Sequence, residues 1–269
     1  MGSYIVVDIG GSGARIGVVS EQGIAGVQRE SIHSVENLVD VIKSRSANIQ
    51  GIAISVAGFV YADSGCVSHV TAAPFLEGNL KEKLGIHFPD ACIHIVNDGE
   101  AHALALLNIP NVKLGAINLA IGTSVGFGVL NERGEPVKTV SGENWEINEL
   151  SFRTRVPNLY AWIMSRAYVG WGLGENGIEQ LKQAMGTKSY KHIGCRLGAF
   201  ASQLAVIFRP RTIGFSGGYI SRYWPKIEDA VRKEFQPPPF MNCPELIAQK
   251  DSESALVGLS FLFKQNEHL

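Results

Sequence analysis

The sequence has no cysteine cluster: its four cysteines, Cys66, Cys92, Cys195 and Cys243, lie far apart, and no CxxC or HxxxH pair occurs. Zinc sites use such short pairs, so no zinc is expected. The scattered thiols read as reduced residues of a cytoplasmic protein. Charge of one sign is also missing. With 24 basic and 25 acidic residues, the net charge is −1, which gives no bulk footprint for nucleic acid or an anionic membrane. Long apolar runs are absent too. The uncharged stretch 114–130 contains Asn118, Thr123, Ser124 and four glycines, whereas a membrane span needs roughly 20 mostly apolar residues. Met1-Gly2-Ser3-Tyr4 leads directly into a strand-like segment, so no secretory leader is expected. Val6 stands where a myristoylation motif needs Ser or Thr. No GxxxxGKS or GxxxxGKT loop exists. A GxGxxG runs from Gly172 to Gly177, but it lies between helical stretches, whereas the dinucleotide fingerprint follows a strand and opens a helix.

What is present is an alternation of strand and helix patterns. Residues 4–9 and 15–20 read as strands around a glycine turn, and 23–32 adds a third. Val35–Lys43 has helical spacing, with Ser34 as N-cap and Glu36 in its first turn. Segments 52–56 and 93–96 are short buried strands, and a helix beginning near Asp98 continues through 102–107. A second strand group follows at Ala116–Ile121, 126–131 and 136–140. Residues 158–208 read as largely helical, 212–215 as a strand and 219–235 as a helix. After the rigid turn Pro237-Pro238-Pro239, an amphipathic helix at 252–263 closes the pattern. The alternation argues for α/β layers. Nothing reads as a flexible linker, so a domain boundary is expected near 108–114, around Pro110.

One internal echo is informative. Asp8-Ile9-Gly10-Gly11-Ser12 and Ala120-Ile121-Gly122-Thr123-Ser124 each follow an apolar strand and precede another. Glycine turns let backbone N–H groups converge on a phosphate, and Ser12, Thr123 and Ser124 add hydroxyls. Asp8, among apolar neighbours, is costly to bury without a partner; Mg²⁺ held through water beside the phosphates would account for it. Two ordinary hairpins with a capping Asp would account for one turn alone. Asp98 ends a buried strand. It reads either as the N-cap of the next helix or as a general base in the cleft at the strand's carboxyl end, with Asn97 free to hold a neighbouring hydroxyl. Gly217-Gly218, after a strand, would let a flat base or ribose lie against the backbone.

In this order the pieces resemble the ROK family of sugar kinases and repressors, within the actin, Hsp70 and hexokinase superfamily. Asp8-Ile9-Gly10-Gly11-Ser12-Gly13-Ala14-Arg15 is similar to its first phosphate motif, DxGGTxxR. Residues 54–60 resemble the connecting segment, Asn97-Asp98 the catalytic dipeptide, and residues 121–128 the second phosphate motif. Ser216-Gly217-Gly218 resembles the adenosine motif and residues 255–258 the closing helix. The resemblance implies an α/β fold of two actin-like (ribonuclease H-like) domains around an interdomain active-site cleft. Residues 1–112, completed by the C-terminal helix 252–269, would form the sugar side, and 113–251 the nucleotide side.

It further implies an ATP-dependent kinase for a hexose or hexose derivative, of the short zinc-free glucokinase-like type, with Asp98 as base. Asn97, Glu143 and Glu146 would bind substrate. Gly10, Gly11, Ser12, Gly13, Arg15, Gly122, Thr123, Ser124, Gly217 and Gly218 would bind nucleotide, and Asp8 would hold Mg²⁺. Homodimerisation is a family expectation. One departure stands out: the ExGH sugar motif falls at Glu143-Asn144-Trp145-Glu146, with Trp145 for the glycine and Glu146 for the histidine. Glu146 reads either as a sugar ligand or as a solvated loop carboxylate. A catalytically silent sugar-binding regulator, a polyphosphate donor and a different small hydroxyl substrate are the competing expectations.

Overall fold

A computed structural model of the protein describes residues 2–10, 13–61, 63–122, 124–149, 163 and 187–264. The expectations for Gly11, Ser12, Thr123, residues 158–162 and 164–186 (with the GxGxxG at 172–177) and the end of the C-terminal helix lie outside the described residues.

The strands of the first half are β1 (Ser3–Gly10), β2 (Gly13–Ser20), β3 (Gly23–Glu30), β4 (Ile49–Val56) and β8 (Cys92–Asn97), ordered β3-β2-β1-β4-β8. The β1–β2 hairpin is antiparallel, and β4 and β8 add on in parallel. Alternation along the strands assigns each residue to a face. Ile5, Val7, Ile9, Ile52 and Ile54 pack under α1 (Val35–Lys43) and α2 (Leu80–Gly85). Val6 and Ala53 point to the other face, against α3 (Asp98–Leu104) and the C-terminal helix α6 (Ser254–Lys264). Helix α1 starts as its sequence directs, with the Ser34 side chain accepting from Asn37 N, a cap worth about 1 kcal/mol. Three short strands, β5 (Phe59–Tyr61), β6 (Cys66–Ser68) and β7 (Gly78–Asn79), form a flap beside this sheet.

The second half repeats the plan. Strands β9 (Ala116–Ile121), β10 (Val125–Leu130), β11 (Thr212–Ser216) and β12 (Glu245–Ala248) are ordered β10-β9-β11-β12, an antiparallel hairpin followed by two parallel strands. The outer face of this sheet packs against α4 (Thr187–Phe208) and α5 (Gly218–Glu234) through Ile117, Leu119, Ile193, Leu197, Trp224 and Ile227. The echo seen in the sequence is thus a repeated sheet topology. The third hairpin strand expected at 136–140 is reduced to one bridge, Leu130 to Pro136. Pro136 has no N–H to give a ladder, and Lys138 is drawn away to an ion pair with Glu100.

Helix α3 joins the two halves. Its backbone approaches β10 so closely that a Cβ on Gly99 would collide with Phe127 N, and one on Gly128 would lie 2.5 Å from Gly99 O. On the other side, a Cβ on Gly258 of α6 would collide with Ala101 O. Polar bonds hold the same helix: His102 Nδ1 meets Ser254 Oγ at 2.8 Å, and Gln249 Nε2 donates to His102 O at 3.1 Å. Burial pushes the His102 imidazole down to about 4, so it is neutral at physiological pH.

Overpacking this contact should be costly. Gly258→Ala is expected to lower the free energy of unfolding by about 1–3 kcal/mol, read from urea unfolding. Gly85→Ala, where an added Cβ meets nothing within 4 Å, should be neutral or mildly stabilising. Equal stability of both variants and wild type would contradict the close approach of α3 and α6.

Candidate active site

Three glycine turns and one helix start converge at one end of the sheets. Asp8 lies near the end of β1 and is 7% exposed. Its Oδ2 accepts from Arg15 Nη2 at 2.5 Å and Nε at 3.2 Å, and its Oδ1 accepts from Ser55 Oγ at 2.7 Å. Arg15 also donates to the carbonyl of Ser252, just before α6. A buried carboxylate is tolerated only when paired and hydrogen-bonded, and Asp8 is both.

Asp98 sits at the first position of α3, immediately after β8. Burial, then the negative charge of Asp8, raise its carboxyl from 3.8 to about 7, against the opposing bond from the Gly99 N–H. Desolvation and a like charge both disfavour ionisation. Asp98 does not cap the helix. Asn97 is the N-cap: its side chain accepts from Gly99 N at 2.8 Å, while Glu100 returns a bond from the Asn97 N–H, completing a capping box. Glu100 is 1% exposed and meets Lys138 Nζ at 2.5 and 2.7 Å.

The Asn97 amide nitrogen donates to Gly58 O at 2.9 Å and to Glu146 Oε1 at 3.3 Å. Both its hydrogens are engaged, so only the amide oxygen can still accept a substrate hydroxyl. Glu146 is not a solvated loop carboxylate. It is partly buried and accepts from Asn144 Nδ2 at 2.7 Å as well as from Asn97. Glu143 accepts from Tyr61 OH at 2.6 Å and from Ser141 Oγ at 3.0 Å. These two bonds, with a smaller contribution from the charge of His69, hold its carboxyl below the ordinary range. Trp145 donates Nε1–H to Val137 O at 2.8 Å and packs on Phe208.

The glycines around the site divide into two kinds. Gly99, Gly126 and Gly128 are required by packing, because added Cβ atoms would press on neighbouring backbone. At Gly10, Gly122 and Gly218 a Cβ would meet nothing within 4 Å, and none of the three has a positive φ. Within the protein, neither sterics nor conformation calls for glycine there. Gly217 differs. Its φ is 88°, and a Cβ would lie 2.6 Å from Ile121 O, which seats the α5 start directly on the second hairpin. Gly13 likewise needs φ 112° to close the first. Gly122 N donates to Ser124 O at 3.0 Å across the second turn.

Several neighbours of this site escaped sequence reasoning. Ser55 stands opposite Asp8 in the β1–β4 register and was legible once those strands were paired. Glu100 was legible as the third residue after an Asn N-cap. Lys138, Asn144 and Tyr61 carry no local signal. Among the described residues no group of three or more His, Cys, Asp or Glu side chains is placed to hold a metal by itself, and no helix is long and apolar enough to cross a membrane.

The fold is the two-domain actin-like α/β architecture, and its structural neighbours include ROK-family sugar kinases over the full length and a ROK-family transcriptional regulator. A ROK family protein from Streptococcus pneumoniae in complex with sucrose has a TM-score of 0.75 at 20% identity, covering 99% of each chain. A ROK family glucokinase from Streptomyces griseus, in complex with glucose and AMPPNP, has a TM-score of 0.73 at 20% identity, covering 98% of this chain and 100% of that one. The ROK hexokinase of Thermus thermophilus has a TM-score of 0.71 at 17% identity, over 98% of this chain and 99% of that one. In sequence, the chain is 22% identical over 305 residues to an uncharacterised protein of Clostridium perfringens, covering 99% of both. No family model matches the chain.

The raised Asp98 value has a thermodynamic sign. The unfolded chain gives up this proton near 3.8, the folded chain near 7, so the folded state holds more protons between those values. Stability therefore falls as pH rises across the window, and the penalty is complete above pH 7. Asp98→Asn, always neutral, should melt with wild type near pH 4 and a few degrees higher at pH 8. Scanning calorimetry at the two pH values is the check, and parallel curves at both would contradict the raised value.

Proposed function

We propose that this protein is an ATP-dependent sugar kinase, acting on a hexose or hexose derivative with Asp98 as general base. The observation that supports this most is the convergence of three open glycine turns on a carboxylate titrating near neutrality. In this reading residues 1–112, completed by the C-terminal helix 252–269, carry the sugar side, and 113–251 carry the nucleotide side. Gly10 to Gly13, with Ser12, and Gly122 to Ser124 would cradle phosphates. Gly217-Gly218 would flank adenosine. Arg15, engaged with Asp8, would keep that carboxylate oriented beside the first turn.

Asp8 fits a magnesium ion brought by the nucleotide and held through water. Both its oxygens already accept from Arg15 and Ser55, which leaves lone pairs for a hydrating water, and magnesium commonly keeps several of its waters. Bound there, the ion would neutralise charge on the transferring phosphoryl group. The residues supply the rest. Ionised Asp98 accepts the sugar hydroxyl proton as that oxygen bonds to the γ-phosphorus and the bond to the ADP oxygen breaks. Glu143 and Glu146 accept sugar hydroxyls, a substrate hydroxyl taking the place of Tyr61 OH on Glu143. The Asn97 oxygen accepts a further one.

The test is a coupled assay crossing ATP and polyphosphate with glucose, mannose, fructose and the N-acetylhexosamines. ADP release with at least one hexose is expected. For that substrate, Asp98→Asn should lower kcat on the order of 10²-fold or more, with binding largely kept. For wild type, kcat/KM should rise with pH through an apparent value of about 7, because the base acts ionised. Sugar binding without turnover from either donor would favour a silent regulator.

A further inference from the structure

Among the described residues, three non-glycine residues have left-handed backbone: His69 at φ 56°, Asn111 at φ 60° and Arg209 at φ 46°. Asn tolerates this region, and Arg209 closes α4 just before Pro210, where a left-handed residue and a cation are both at home. His is enriched in this region as well, so the conformation of His69 sets the direction of its side chain.

Its surroundings are the candidate sugar end. His69 follows β6, whose partner β5 reaches across to the second half through Tyr61 OH on Glu143 and Val60 N on Asn144 Oδ1, at 2.6 and 2.8 Å. Its backbone runs beside Gly58, where a Cβ would lie 2.8 Å from Ser68 O and 3.4 Å from His69 O. Gly58 O is the acceptor of Asn97, next to Asp98. The imidazole stands on edge to Phe59, with ring centroids 5.4 Å apart and an 83° interplanar angle. Its Nδ1 lies 3.2 Å from Ser68 Oγ, and its Nε2 has no partner among the described residues. The side chain is exposed, and its positive form favours the Glu143 carboxylate. The imidazole is thus oriented by Phe59 and Ser68 and stands near enough to Glu143 for its charge to act there.

Building on the sugar-kinase reading, we propose that His69 is a substrate-binding residue. Its Nε2 bonds one ring hydroxyl while Glu143 accepts the neighbouring one, so the site selects a pyranose by a vicinal diol.

The backbone conformation makes the test clean. Glycine is comfortable at φ 56°, so His69→Gly removes the imidazole while relaxing the chain. Calorimetry on wild type identifies which sugars of the hexose panel bind. For such a sugar, His69→Gly is expected to raise Kd about tenfold, the scale of one lost hydrogen bond beside a charged group. The affinity for AMPPNP should be unchanged and the melting temperature equal or higher. His69→Asn, which suits the same backbone and keeps a donor, should recover part of the loss. Monodeoxy sugars add a second reading: deleting one particular hydroxyl should cost wild type affinity but cost His69→Gly none. A wild-type sugar Kd in His69→Gly overturns the inference. Sugar binding without phosphoryl transfer overturns the kinase reading alone, and a wild type that binds none of the sugars overturns both.

Discussion

The structure depends on one steric constraint, the absence of side chains where α3 is gripped. Gly99 meets the β10 backbone, answered by Gly126 and Gly128, and Gly258 of α6 meets the helix from behind. Dispersion and hydrogen bonding reach their full strength only at such short range, and a single added methyl on either side holds the backbones apart. Because the helix is fixed on two faces, the direction of its first turn is fixed too, and Asp98 stands in that turn. Glycines that look like one loose motif thus do opposite things. Gly126 and Gly128 fill a contact, whereas Gly10, Gly122 and Gly218 leave a space.

Electrostatics builds on that placement. Asp8 is neutralised locally by Arg15 and solvated by Ser55, yet its charge still reaches Asp98. Glu100 is silenced by Lys138. The carboxylates of the site are therefore unequal: Asp8 and Glu100 are committed to cations, Glu146 accepts from the Asn97 and Asn144 amides, Glu143 is held below the ordinary range by Tyr61 and Ser141, and Asp98 hovers near neutrality. Environments that push like groups apart in this way are how a single fold separates acid, base and anchor. The arrangement weakens the folded state wherever Asp98 is ionised, a common relation between stability and function.

Much of the fold was legible because local signals agree with it. The apolar strands at 52–56 and 93–96, the Ser34-capped helix and the Ala116–Ile121 strand all appear where pattern and capping direct. The 136–140 strand failed because binary pattern cannot register that Pro136 lacks a donor or that Lys138 has a buried partner. At the site, residues adjacent in sequence to a glycine turn or a strand end were legible: Asp8, Asp98, Gly217. Capping was read onto Asp98 rather than Asn97 because both residue types cap and the choice turns on one backbone dihedral. Tyr61, Asn144 and Lys138 meet their partners across 82, 84 and 38 residues, and no periodicity encodes such pairs.

The Lys138–Glu100 pair has a mechanical corollary. Glu100 belongs to the opening turn of a helix that the chain reaches from the first sheet, while Lys138 leaves the second sheet on the way to Glu143 and Glu146. One ion pair and one glycine seam therefore bolt Asp98 and the segment carrying Glu143 and Glu146 to a common frame. Should the two sheets swing relative to each other, the pivot has to lie outside that seam, in the segments on either side of it. The spacing between those groups would then ride unchanged through the motion, and access to the glycine turns would be what varies.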